Sequence, residues 1–140
     1  MNYSHDFENN DRDGWRFTQS AGSIVKEVDG NHYLTGDEYV TDYGIRKIFK
    51  LPFVDKSPVT IKFKIKVPQS VSLQYLSCGF MNTLTSLAIP ESDNRWHSCE
   101  AVLPPPPSSE LPMVQIWAYQ DYENPPHELG FDDIEIIQQQ

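Results

Sequence analysis

The sequence predicts an all-β fold, a two-sheet antiparallel β-sandwich of jelly-roll topology, on three observations. The stretch Val59–Val67 places Val59, Ile61, Phe63, Ile65 and Val67 on one face, with Thr60, Lys62, Lys64 and Lys66 on the other. That period of two marks a strand with one side in a core and the other in water. Shorter strand-like runs recur along the chain between clusters of Gly, Pro, Asn and Asp, the rhythm of sandwiches and barrels. No long segment carries the 3.6-residue period of an amphipathic helix. At 140 residues the chain is expected to be one domain, 1–140, large enough to bury a core without disulfide staples.

The elements follow in order. Ser4–Glu8 is expected as a first short strand, followed by the polar turn Asn9–Gly14 and resumed alternation at Trp15–Phe17. Trp15, beside the turn, is read as core. Ser23–Val28 and His32–Leu34 flank Asp29-Gly30-Asn31, a hairpin signal because Asp-Gly tolerates the positive φ of tight turns. Glu38–Leu51 is read as two strands with a bend at Asp42-Tyr43-Gly44. Ser70–Met81, Ser86–Ile89 and Arg95–Leu103 are further strands, the last with Cys99, Ala101 and Leu103 inward. Pro104–Pro107 cannot enter a sheet ladder and is read as an extended crossover between sheets. In Met113–Tyr119, Val114, Ile116 and Ala118 alternate with Gln115, Trp117 and Tyr119. Leu129–Ile137 is the closing strand, and Gln138–Gln140 is expected to fray.

Composition narrows the function. Twenty acidic residues against 11 basic give a net charge of -9, which argues against a nucleic-acid partner and against an anionic membrane surface. No apolar run approaches the length of a membrane span. The N-terminus lacks the basic and apolar regions of a signal peptide. Two readings follow: a cytosolic protein, or a module from a larger secreted chain. Cys78 and Cys99 lack the spacing of a zinc or redox motif and are read as buried free thiols rather than a disulfide. No serine-nucleophile elbow, phosphate-binding glycine loop or His-Glu-x-x-His motif is present, and the four histidines are scattered. The chain is not expected to be an enzyme.

Two sets of residues stand out. In the closing strand, period-two alternation groups Asp132 with Ile134 and Ile136 on the apolar face, where a carboxylate is costly unless paired. On the penultimate strand, Trp117 and Tyr119 lie opposite the apolar residues, with Gln115 beside them. Tyr39, Tyr43 and Tyr75 are further aromatic candidates, as are Trp96 and His97. Such rings suit the apolar faces of sugars, and amides suit their hydroxyls. Trp117 also fits core packing.

Phe7-Glu8, a polar turn, then Gly14-Trp15, together with Phe131-Asp132-Asp133-Ile134-Glu135-Ile136, resemble the opening and closing strands of jelly-roll carbohydrate-binding modules of the galactose-binding-domain-like superfamily. The resemblance implies that the first and last strands lie side by side, with a structural calcium ion where they meet. It implies Glu8 and Asp132 as ligands; Asp29 and Asn31, in a turn that approaches the same sheet end, are further oxygen donors, as calcium's need for six to eight oxygens requires. Alternatively, Asp132 caps an amide or pairs with a cation, and Glu8 is merely exposed. The leading function is a non-catalytic module presenting Trp117, Tyr119 and Gln115 to a saccharide. The alternative is a small acidic protein–protein interaction domain, an adaptor, inhibitor or immunity-like partner, for which exposed Tyr and Trp serve equally well.

Overall fold

A computed structural model describes residues 2–17, 23–36, 44–50, 53, 57–80, 83–104, 112–120 and 129–138. They form eleven strands and, among the described residues, no helix. The strands are β1 (Asn2–His5), β2 (Arg16–Phe17), β3 (Ser23–Val28), β4 (Asn31–Gly36), β5 (Gly44–Ile48), β6 (Val59–Lys66), β7 (Leu73–Phe80), β8 (Thr83–Ser86), β9 (Trp96–Leu103), β10 (Met113–Gln120) and β11 (Gly130–Gln138).

Every pairing is antiparallel, and the strands divide into two packed sheets. The first has the order β3-β4-β11-β6-β9, with β1 also on β11; the second has the order β2-β5-β10-β7-β8. The inner faces meet in one core. Ile61, Phe63, Ile65, Ile134 and Ile136 face it from the first sheet, and Ile45, Cys78, Phe80, Val114 and Ile116 from the second. Trp15 and Phe7 are fully buried in the same core. Trp15 Nε1 donates to Tyr3 Oη at 3.0 Å, and that hydroxyl donates to Asp13 Oδ2 at 2.6 Å. The network satisfies a buried indole N–H, as burial requires, and ties the N-terminal turn to β1.

The β3–β4 hairpin closes through Asp29 and Gly30, with Val28 paired to Asn31. Their φ angles of 53° and 83° belong to the mirror-image turn that matches strand twist. β9 belongs to the first sheet and β10 to the second; Pro105, Pro106 and Pro107, between them, lie outside the described residues. Cys99, Ala101 and Leu103 face inward on β9, paired to the core positions Phe63, Ile61 and Val59. Both cysteines are free thiols, Cys78 buried and Cys99 half-buried. Burial pushes Cys78 up to about 12.

Three expectations need correction. The short strand expected at Ser86–Ile89 is instead Thr83–Ser86, hairpin partner of β7. Gln138 does not fray: it ends β11, is buried, and donates from Nε2 to Ser57 O at 3.0 Å. The third correction concerns Asp132. Up to Asp132↔Lys64 and again from Glu135↔Lys62 the β11–β6 ladder is regular, but between them Asp133 and Ile134 oppose Phe63 alone. This is a β-bulge, with Asp133 at φ 47°, and one extra residue moves every following side chain to the other face. Phe131 points into the core, Asp132 to the outer face beside Lys64, and Ile134 and Ile136 inward again. Asp132 therefore does not share the face of Ile134 and Ile136.

Candidate functional site

The outer face of the second sheet carries the aromatic residues. On β10 the inward set Val114, Ile116 and Ala118 is fully buried, and Gln115, Trp117 and Tyr119 are half-buried on the opposite side. Trp117 is thus not a core residue. Cross-strand register extends the surface. Tyr119 pairs with Tyr75 of β7, their rings meeting edge-on at 5.4 Å between centroids. Tyr75 is 62% exposed. In the ladder, Trp117 is flanked by Ser77 on β7 and Gly44 on β5, both small residues. Gln115 lies between Arg46 and Gly79.

Gly44 is required by close backbone approach: a Cβ there would lie 1.9 Å from Ile116 O, and its φ of 144° favours glycine. An open depression of about 300 Å³ continues from Trp117 towards β8, lined by Tyr75, Ser77, Leu84, Ser86 and Ile89. Its chemistry is ring faces, small hydroxyls and an amide, with no carboxylate among the lining residues. A larger depression of about 630 Å³ lies over the first sheet. It is lined by charged side chains, among them the Lys64–Asp133 ion pair at 3.0 Å, and by no Trp or Tyr ring. For a ligand held by stacking, the second sheet is the better surface.

Tyr39 and Tyr43 lie outside the described residues. Tyr75, an aromatic candidate of the sequence, is outward on β7; Ser77, not among the candidates, was legible in the same way, because Leu76, Cys78 and Phe80 alternate inward and leave positions 75 and 77 outside. Trp96, the remaining partly exposed indole, is on the first sheet, edge-on to Tyr33 at 5.1 Å with Lys66 Nζ over both rings.

The second cluster forms where three strand ends converge. On the edge opposite β6, β11 pairs with β4 at Phe131 and with β1 from Ile134 to Ile137. First and last strands do lie side by side. The changeover falls at the bulge. There Asp132 is buried (3% exposed), and its Oδ1 accepts from Asp133 N at 2.9 Å. Burial, above all, raises its carboxyl from the usual range to about 6, and the nearby carboxylates of Asp133 and Glu8 push the same way; hydrogen bonds from the Asp133 amide and the Asn31 side chain oppose the rise. Glu8 is held at the same place, accepting from His32 N and facing His32 Nδ1, each at 3.1 Å. Glu8, Asn31 and Asp132 thus come together. Asp29 is separate, exposed at the hairpin tip. Among the described residues, no group of three or more His, Cys, Asp or Glu side chains is arranged to hold a metal. The oxygen donors that converge there are the Glu8 and Asp132 carboxylates and the Asn31 amide, while the Asp133 carboxylate is paired with Lys64.

The whole chain, rather than one motif, superposes on known structures. The tandem CBM22-1–CBM22-2 domain of Paenibacillus barcinonensis Xyn10C matches over 98% of this chain, with a TM-score of 0.69 and 14% identity. The chain shares the β-sandwich fold of those modules. The CBM22-1–GH10 modules of Clostridium thermocellum Xyn10B, complexed with xylohexaose, match over 98% with a TM-score of 0.63 and 13% identity. TmCBM27, a module studied for mannan recognition, matches over 99% of this chain and 96% of its own length, at 0.59 and 9%. The chain spans 50% of the Xyn10C structure and 28% of the Xyn10B structure. No protein-family profile matches the sequence, and no curated protein matches it.

Proposed function

We propose that this protein is a non-catalytic carbohydrate-binding module whose ligand lies across the outer face of the second sheet. The observation that carries the reading is the ring cluster Trp117, Tyr119 and Tyr75, set outward on adjacent strands beside Gln115 and Ser77. Trp117 gives a stacking face to one pyranose, the tyrosine pair supports the next, and Gln115 and Ser77 hydrogen-bond hydroxyls. Titration with neutral xylo- and manno-oligosaccharides tests it. Saturable binding that Trp117→Ala lowers roughly tenfold (about 1.4 kcal/mol), without a change in melting temperature, supports the platform. Equal binding by parent and variant, or no binding across the panel, rejects it.

We propose further that a structural calcium ion sits at the bulge, held by Glu8, Asp132 and the Asn31 side chain with backbone carbonyls. Hard oxygen donors of this kind suit calcium, and a buried carboxyl already raised to about 6 beside a second carboxylate is a site that a cation relieves. Its role is to clasp the ends of β1, β4 and β11, away from the sugar face. A melting temperature that calcium raises and chelator lowers supports it; a midpoint indifferent to both removes it.

A further inference from the structure

The depression beside Trp117 has a lining that bare sugar hydroxyls do not match. Large apolar side chains exposed one at a time are ordinary on a protein surface, and Ile24, Ile48 and Val102 stand that way on three separate strands. Tyr75, Leu84 and Ile89, each more than 40% exposed, instead line the same depression as the indole. Register brings them there. Trp117 pairs with Ser77, and Ser77 with Ser86, one outward row across β10, β7 and β8. Leu84 is two residues from Ser86 on the same face of β8, opposite Gly79, which has no side chain to cover it.

The chemistry of the lining restricts what fills it. Leu84 and Ile89 supply aliphatic surface, Ser77 and Ser86 supply hydroxyls, and none of the described residues lining the depression carries a charge. A matching group is neutral, with an apolar part and a hydrogen-bond acceptor. A pyranose hydroxyl matches poorly, because a hydroxyl pressed against Leu84 or Ile89 gives up its water without gaining a partner. An acyl ester matches on both counts. Esterification removes the hydroxyl donor and adds a carbonyl that accepts from a serine hydroxyl. Its alkyl end covers aliphatic surface otherwise left in water. The depression, about 300 Å³ in volume, includes Trp117 in its wall, so a substituent of a sugar stacked on that ring reaches it directly.

We propose that the ligand of this surface is an uncharged, O-acylated saccharide: the sugar ring lies on Trp117, and its ester group enters the depression against Leu84 and Ile89, with the ester carbonyl accepting from Ser86 or Ser77. This inference rests on the platform reading and deepens it. β10 and β7 hold the ring, and β8 with Ile89 reads the substituent.

The test uses O-acetylated xylo- and manno-oligosaccharides and the same preparations after mild alkaline removal of their esters, so that the sugar backbone is constant within each pair. Calorimetric titration is run on the parent, Leu84→Asn, Ile89→Asn, Ser86→Ala and Trp117→Ala. The expected result is a preference of roughly fivefold for the acetylated form, the low end for an apolar group because the depression is open. That preference disappears in Leu84→Asn and Ile89→Asn and weakens in Ser86→Ala, with melting temperature and affinity for the de-esterified form unchanged. Trp117→Ala weakens binding of both forms. Equal affinity for the two forms, or tighter binding of the de-esterified one, overturns the inference and leaves the platform standing. A preference that survives both asparagine substitutions also overturns it. Binding of no form from either series overturns the platform and this inference together.

Discussion

Asp132 holds its proton to about pH 6 in the folded chain, against a reference value of 3.8. Between those values the native state binds more protons than the unfolded one, so stability is full below about pH 4 and falls as pH rises through 6. A shift of about two units is worth on the order of 2–3 kcal/mol. Asp132→Asn removes the ionisable group. In chelator, the variant should gain on the parent progressively from pH 4 to pH 7 and hold that advantage above it. Calcium should then stabilise the parent at pH 7 and leave the variant unmoved, because the ion needs the carboxylate that the amide lacks. Urea melts at several pH values, with and without calcium, check both statements. A parent whose stability rises from pH 4 to 7 in chelator, relative to the variant, would show that Asp132 is better solvated than its burial indicates. The Cys78 thiol, pushed up to about 12 by burial, should be inert to alkylating reagents at neutral pH until the chain unfolds. Rapid labelling of the native protein at Cys78 would contradict its place between the sheets.

At the level of elements, two glycines in positive-φ conformations predict different costs. At Gly30, φ 83° in the β3–β4 turn, an added Cβ would meet no atom within 4 Å, so Gly30→Ala costs only the backbone conformation, ~1 kcal/mol. Gly44, beside Trp117, meets the Ile116 carbonyl, so Gly44→Ala must push β5 away from β10 and should cost roughly 3 kcal/mol. Denaturant midpoints that fall equally would mean that β5 and β10 do not need their close approach. The same pair shows what was legible along the chain. Asp29-Gly30 announces its turn because the conformational demand is local, whereas the demand on Gly44 comes from a strand far along the chain and leaves no local trace. β6 and β10 alternate without interruption, and their faces read directly. β11 does not, because the bulge at Asp133 inserts one residue, and Asp132-x-Ile134-x-Ile136 imitates a continuous apolar face that the structure divides. That Glu8 comes near Asp132 depends on which strand ends meet rather than on which face Asp132 occupies.

At the level of the molecule, the order of the strands determines when the structure can close. β11 is last in sequence, yet it lies inside the first sheet, paired to β6 on one edge and to β4 and β1 on the other. Without it β4 and β6 share no neighbour, β1 has no partner among the described strands, and Phe131, Ile134 and Ile136 leave the core. A chain ending at residue 128 should therefore not be a trimmed module but an unfolded one, with no cooperative thermal transition and no dispersion in its amide NMR spectrum. The intact chain should refold slowly for its size, in milliseconds to seconds, because pairing β1 with β11 closes a loop that spans almost the whole sequence before those contacts stabilise anything. Destabilising β1 alone, by Tyr3→Ala, distinguishes this from a β6-centred nucleus. Tyr3 links Trp15, Asp13 and Phe49 at the outer margin of the sheet, so if β1 docks after the main barrier its loss should speed unfolding and leave the folding rate nearly unchanged. A folding rate that falls in proportion to the lost stability would place the joining of first and last strands in the nucleus itself.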